Sequence, residues 1–202
     1  MQNTTTSLIH SLYQIGAIQF GEFKLKSGQT SSIYINLRKI ISYPGMLRAI
    51  SDALWQTVRD RDFDVICGVP YAALPIATCL SLSQNLPMLL CRKEKKDYGM
   101  KQAVEGEFNQ GQRCLVIEDV ITSGASILET THELKEGGLK VEDIAVIIDR
   151  EQGGVRKLSS QYQVHTLLTL TDILTTLSNS RLLNSSEQLR IEQYLSVHES
   201  YA

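Results

Sequence analysis

Charge of one sign is missing from this sequence. Its 20 lysines and arginines stand against 22 aspartates and glutamates, a net charge of -2. Nothing in that balance draws the whole chain to nucleic acid or to a membrane surface, so any anion site has to be assembled locally. Long apolar runs are missing too. The opening MQNTTTSLIH is too polar for a secretory leader, and no stretch is apolar for the length a bilayer requires; the expected location is the cytoplasm. Cysteine pairs are absent: Cys67, Cys79, Cys91 and Cys114 are widely spaced and form no CxxC. In apolar surroundings they are expected as buried free thiols rather than as metal ligands or disulfides. There is no internal repeat, linker or low-complexity tract. With 202 residues and 43% hydrophobic content, the chain fits one α/β domain with small additions and a sizeable core.

From Asp64 onward, short apolar runs alternate with longer amphipathic stretches, the pattern of a parallel sheet with crossover helices. Val65-Ile66-Cys67 reads as a strand stopping at Gly68-Val69-Pro70, and Ala73 to Ser83 as a helix. Met88 to Cys91 reads as the next strand. The segment from Arg92 to Gly111 is too charged to pack. Leu115-Val116-Ile117 is the third strand, followed by a helix from Ser126 to Glu136 that ends at Gly137-Gly138. Ile144 to Ile148 and Val164 to Leu168 supply two more strands. Right-handed crossovers then give a doubly wound, mainly parallel sheet flanked by helices, with ligand groups at the carboxyl ends of its strands. Upstream, Pro44 opens a helix with the stripe Leu47, Ile50, Leu54 and Val58, and Phe23 to Arg38 reads as two short strands around Ser27-Gly28. The tail is helical, with Ser185-Ser186-Glu187 starting the helix that carries Leu189 to Leu195.

The chemistry concentrates in Leu115-Val116-Ile117-Glu118-Asp119-Val120-Ile121-Thr122-Ser123-Gly124-Ala125-Ser126. An apolar strand delivers two adjacent carboxylates, then a turn of small and hydroxyl residues, then a helix. Such a turn stacks backbone N–H groups and two hydroxyls at a helix N-terminus, where they can cradle a phosphate. Glu118 and Asp119 beside it can accept hydrogen bonds from paired ribose hydroxyls. The lysine and Ser/Thr ending of the P-loop is lacking, as is the GxGxxG of a dinucleotide fold. Acids before a phosphate turn point instead to a ribose 5-phosphate, the bland alternative being a strand-turn-helix with a solvated acidic end.

This stretch resembles the phosphoribosyl pyrophosphate (PRPP) motif of the type I phosphoribosyltransferases. Other segments narrow the resemblance. Phe20 to Gly28 and Ile33 to Arg38 are similar to the N-terminal signature of orotate phosphoribosyltransferases, and Gly68-Val69-Pro70-Tyr71 to their pyrophosphate turn. Arg92 to Gly99 is similar to their mobile catalytic loop, and Asp149-Arg150-Glu151-Gln152-Gly153-Gly154 to their strand end near the base. The order is kept from about Phe20 to about Gly154, and the closest pattern is the transferase half of animal-type UMP synthases. Three positions depart from common family patterns: Ala72 where many bacterial members have lysine, Tyr98 where they have histidine, and Asn36 where the animal type has aspartate.

The resemblance implies a type I fold in a single domain, with residues 1–43 as a hood and base-side elements, 44–170 as the core sheet and 171–202 as a helical tail. It implies transfer of the phosphoribosyl group of PRPP to orotate, with release of pyrophosphate, in pyrimidine biosynthesis. Lys96, Lys93 and Asp119 are the expected catalytic residues. PRPP contacts are expected from Lys26, Tyr71, Arg92, Lys93, Lys96, Tyr98, Glu118, Asp119, Val120, Ile121, Thr122, Ser123, Gly124, Ala125 and Ser126. Orotate contacts are expected from Lys26, Tyr34, Ile35, Thr122 and Arg150, with Tyr34 and Ile35 equally readable as strand residues facing a core. Mg²⁺ is the expected cofactor, held mainly by PRPP and water with no direct protein ligands. The implied assembly is a homodimer whose lid, Arg92 to Gly111, serves the neighbouring subunit; nucleic acid and membrane partners are not expected. A purine-type transferase would share residues 118–126 but not the Lys26-Ser27-Gly28 turn or Asp149-Arg150-Glu151. A regulatory PRPP binder acting on nucleic acid would need a basic face or an added segment, which neither charge nor length supplies.

Overall fold

The computed structural model describes residues 2–24, 30–92 and 103–199. Contacts gather the chain into two units, one of residues 47–167 and the other of residues 1–46 with 168–202.

The larger unit is built on a sheet whose central strands are buried on both faces and apolar along most of their length, as in a sheet covered on both sides. These are β3 (Val65–Gly68), β4 (Met88–Cys91), β5 (Val104–Glu105), β6 (Cys114–Ile121), β7 (Asp143–Asp149) and β8 (Gln163–Thr169), in the spatial order β5-β4-β3-β6-β7-β8. β3 is parallel to β4 and β6, and β6 is parallel to β7. From β3 the chain first moves outward to β4 on one side and later returns to place β6 on the other. The order therefore reverses between β3 and β6, where open α/β sheets bind their ligands at the carboxyl ends. Helices α2 (Pro44–Val58), α3 (Leu74–Gln84), α4 (Ala125–Glu136) and α5 (Gly154–Leu158) join the strands. α2 buries Ile50, Leu54 and Val58, as its stripe requires. Its buried Ser51 hydroxyl bonds the Leu47 carbonyl at 2.9 Å and the Ile76 carbonyl at 3.3 Å, tying α2 to α3. α4 is anchored by Ile127 and Leu134, both inaccessible to solvent; truncating such a leucine typically costs about 2–5 kcal/mol.

The smaller unit packs α1 (Gln2–Gln14), the hairpin β1 (Ile18–Lys24) and β2 (Thr30–Ile35), a 3-10 turn (Leu37–Ser42), α6 (Leu170–Ser178) and α7 (Ser185–Glu199). In the hairpin Ile18 faces Ile35 and Phe20 faces Ile33, with a register shift between Phe20 and Phe23. Thr169 and Asp172 close a capping box at the start of α6. The Tyr13 hydroxyl donates to Glu187 at 2.7 Å, linking α1 to α7, and burial with that carboxylate pushes the phenol up to about 12.

Three sequence expectations are corrected. The first hairpin strand begins at Ile18 rather than Phe23. β6 does not stop at Ile117 but continues to Ile121, so Glu118 and Asp119 belong to the strand. The segment after Ala103 is packed: Val104 is buried and β5 pairs antiparallel with β4. The helix α5, after Gly153, was not foreseen. All four cysteines are free thiols; Cys67, Cys91 and Cys114 are buried as expected, whereas Cys79 is only half-buried, and burial pushes Cys67 up to about 12.

Candidate active site

The site is best followed from β3. Its last residue, Gly68, lies opposite Ile117 of β6, and the next N–H, of Val69, donates to the Ile117 carbonyl at 2.8 Å. The turn Gly68-Val69-Pro70-Tyr71 is thereby fixed alongside β6. A Cβ on Gly68 would stand 3.0 Å from the Ala73 carbonyl oxygen and 3.1 Å from the Ala77 side chain, so the turn sits tightly on the start of α3. The Pro70–Tyr71 peptide is cis, and Tyr71 is 65% exposed at the tip.

β6 then carries its acids into this end of the sheet. Glu118 pairs with Val146 of β7 and is only 6% exposed. A buried carboxylate is costly unless donors meet it, and its Oε1 accepts the Asp119 N–H at 3.0 Å. Asp119 is half-buried, as is Val120, whereas Ile121 is buried. The chain leaves the strand through exposed Thr122 and Ser123 to Gly124, whose φ of 75° is left-handed. Gly124 caps α4 without a side chain of its own, so the first N–H groups of the helix, beside exposed Ala125 and Ser126, are left to an incoming anion. The structure thus brings Glu118 through Ser126 together as one strand, turn and helix start.

Two further elements border this turn. The Arg150 N–H donates to the Ile121 carbonyl at 3.1 Å, placing the end of β7 beside the end of β6. The Arg150 side chain is 8% exposed. Its neighbour Asp149 accepts the Glu151 N–H at 2.8 Å; burial raises the Asp149 pKa, and this hydrogen bond only partly offsets it. On the other side, a cavity of about 200 Å³ is lined by Val69 and Pro70, by Arg92 at the end of β4, and by Ser126, Glu129 and Thr130 of α4. Arg92 donates its N–H to the Ala103 carbonyl at 2.8 Å, and its guanidinium pairs with Glu105.

The other expected residues belong to other parts of the chain. Tyr34 and Ile35 lie on β2 in the smaller unit, both half-buried, with the Tyr34 ring stacked on Phe23 at 5.2 Å between centroids. Lys26, Lys93, Lys96 and Tyr98 lie outside the described residues. Among the described residues, no group of three or more His, Cys, Asp or Glu is placed to hold a metal ion. The sequence reading missed Glu129 and Thr130. The signal was present: they stand three and four residues after Ser126, on the same helix face. His165 has Nε2 2.5 Å from Asp143 Oδ1, at the start of β7 and so at the other end of that strand.

Residues 38–175 match the phosphoribosyl transferase domain family. The chain is 44% identical over 192 residues to the uridine 5'-monophosphate synthase of Bos taurus, covering 94% of this chain and 40% of that protein. It is 42% identical over 172 residues to the orotate phosphoribosyltransferase of Chlamydia felis, covering 84% of each. The fold matches the Leishmania donovani UMP synthase with a TM-score of 0.86 at 33% identity, over 95% of this chain and 42% of that one. It matches the orotate phosphoribosyltransferase of Aeropyrum pernix with a TM-score of 0.77 at 30% identity, over 86% of this chain and 99% of that one. The chain therefore spans about two-fifths of the UMP synthases it resembles and most of the single-function enzymes. An acid-bearing strand that runs into an uncapped helix at the switch point of the sheet, in a sequence with these relatives, makes this chain a member of the phosphoribosyltransferase family, among the orotate phosphoribosyltransferases.

Proposed function

We propose that this chain joins orotate to the ribose of PRPP, releasing pyrophosphate and forming orotidine 5'-monophosphate in pyrimidine biosynthesis. The observation that carries the proposal is the run from buried Glu118 to the open helix start at Ser126, bordered by the Arg150 strand end and the Tyr71 turn. N1 of orotate attacks the anomeric carbon as the C–O bond to pyrophosphate breaks. Positive charge develops on the ribose ring and negative charge on the leaving group, so the reaction calls for fixed charges more than for a strong base.

In this reading Thr122, Ser123, Gly124, Ala125 and Ser126 hold the 5-phosphate through their N–H groups and hydroxyls, while Val120 and Ile121 shape the approach to the turn. Glu118 and Asp119 accept the ribose hydroxyls. Tyr71 and Arg92 border the pyrophosphate, joined by Lys93, Lys96 and Tyr98 of the loop. Arg150, with its planar guanidinium, reads the orotate carboxylate or a ring carbonyl. Lys26 bridges the two substrates, Thr122 borders the base as well as the phosphate, and Tyr34 and Ile35 form a wall for the base. Mg²⁺ suits this donor set, which is carboxylate oxygen and water rather than sulfur or imidazole. Glu118 and Asp119 would meet the ion through metal-bound water rather than as direct ligands, with PRPP supplying most of its oxygens. When bound, the ion neutralises charge growing on the pyrophosphate. We place the enzyme in the cytoplasm; no helix among the described residues is long and apolar enough to cross a membrane. The hood, core sheet and tail would act as one domain.

Three outcomes test the residue roles. Asp119→Asn is expected to keep the fold, checked by circular dichroism, and to lower turnover by roughly a hundredfold, the scale of losing one well-placed electrostatic contact. An unchanged rate would reduce Asp119 to a strand-end acid. Arg150→Ala is expected to weaken orotate binding far more than PRPP binding in separate titrations; equal weakening would reject its role at the base. We further propose a homodimer whose loop lysines act on the neighbouring subunit. Refolding Lys96→Ala chains together with Asp119→Asn chains then creates one intact site per mixed dimer, and activity returns. A verified mixed dimer without activity would rule out sharing across the interface.

A further inference from the structure

Gly154 opens α5 with no room for a side chain. A Cβ there would lie 2.5 Å from the Thr122 carbonyl oxygen and 2.7 Å from Cγ1 of Ile121, closer than such atoms come in proteins. The contact falls on the last residue of β6 and the first residue of the phosphate turn. One helical turn later the same segment touches the far end of that turn. Two carbons of Leu158, Cγ and Cδ1, each lie 3.2 Å from where a Cβ on Gly124 would stand, and Leu158 itself is 1% exposed. A third link is the Arg150 N–H on the Ile121 carbonyl, at 3.1 Å. Residues 150–158 therefore grip the turn at its entry and at its exit.

The local backbone is bent to make this possible. Glu151 has φ 57°, a left-handed conformation that non-glycine residues adopt rarely, and Gly153 has φ 87°. Those two residues reverse the chain directly after β7 and bring α5 back against the turn. Filling a core would explain Leu158. It does not explain a backbone carbonyl seated against the bare Cα of Gly154, which fixes a separation without adding apolar area.

We propose that Gly154 and Leu158 are positioning residues, which set the spacing between the phosphate turn at 122–126 and the strand end that carries Arg150. Resting on the site reading given above, this goes beyond it: two residues that touch neither substrate fix the distance between the ribose phosphate and the base. The attacking nitrogen and the anomeric carbon must meet at close range, and a displacement of about 1 Å in such a pair can cost roughly a hundredfold in rate. Gly154 governs both sides of the spacing because it touches the residue that Arg150 also bonds and the turn residue after it. Leu158 governs the phosphate side alone.

The test combines steady-state kinetics with separate titrations of ribose 5-phosphate and orotate on the full chain. Gly154→Ala is expected to lower kcat by about tenfold or more, the scale of a displaced reacting pair, and to raise KM for both PRPP and orotate. Leu158→Ala is expected to raise KM for PRPP and weaken ribose 5-phosphate while orotate binding stays at its wild-type value. Lys157→Ala, exposed on the same helix, is expected to change neither. A purely structural α5 predicts another pattern. Activity would then fall in proportion to the folded fraction seen by circular dichroism, with both KM values unchanged, and that result overturns the proposal. If Gly154→Ala does not fold, Leu158→Ala decides, since equal weakening of both ligands, or of neither, also overturns it. Asp119→Asn and Arg150→Ala run beside these variants. Should those two be silent, the site reading falls and takes the proposal with it. If they behave as expected while the α5 variants are silent, the proposal alone falls.

Discussion

Strand β6 is held by parallel neighbours on both sides, with Ile117 opposite Gly68 and Val120 opposite Ile148. That register fixes where its two acids point. Successive side chains on a strand face opposite sides of the sheet, so a slip of one residue would exchange the positions of Glu118 and Asp119. It would also carry the Thr122-Ser123-Gly124 turn away from the Val69 turn and from the Arg150 strand end, both of which bond β6 carbonyls. The apolar run from Cys114 to Ile117, fully enclosed by its neighbours, holds the register; the polar end takes advantage of it. The site is in this sense an extension of the core.

The same strand shows what could and could not be read from the sequence. β3 and β7 are legible because strands buried on both faces must be apolar, and β4 because its four residues are all apolar although Leu90 is exposed; these runs stand out between turns and helices. The end of β6 is hidden by that same rule. The apolar run ends at Ile117 with Glu118 and Asp119 at its carboxyl end, yet the ladder continues to Ile121 because β7 runs alongside to Asp149 and offers partners that the local sequence does not reveal. α1 was missed because Thr4, Thr5 and Thr6 are poor helix formers; burial of Leu8, Ile9 and Leu12 decides in favour of the helix. β5 is two residues long inside a charged segment, too short to leave a period. α5 is five residues long and opens on Gly153-Gly154, poor helix formers, so no helical period marks it; in the structure the glycines permit a reversal and a close approach.

The site divides in the same way. Residues 118–126 were legible because they are contiguous, so one strand-turn-helix reading places all of them. Arg150 required the resemblance, since an arginine after a strand is more often a surface residue, and here it is buried. The nearness of α5 to the phosphate turn depends on contacts between residues some 30 positions apart, which no local pattern encodes. What the fold adds to the motif is therefore mainly separation: it sets how far the phosphate turn stands from the base-side strand end.

Transfer of a phosphoribosyl group to orotate by this arrangement is followed through the absorbance of orotate with the purified chain. Orotate is expected to be consumed only when PRPP and Mg²⁺ are both present, with pyrophosphate released in step, and adenine and hypoxanthine are not expected to be turned over in its place. Turnover of hypoxanthine at the rate of orotate, or no loss of orotate with all components present, would contradict that transfer.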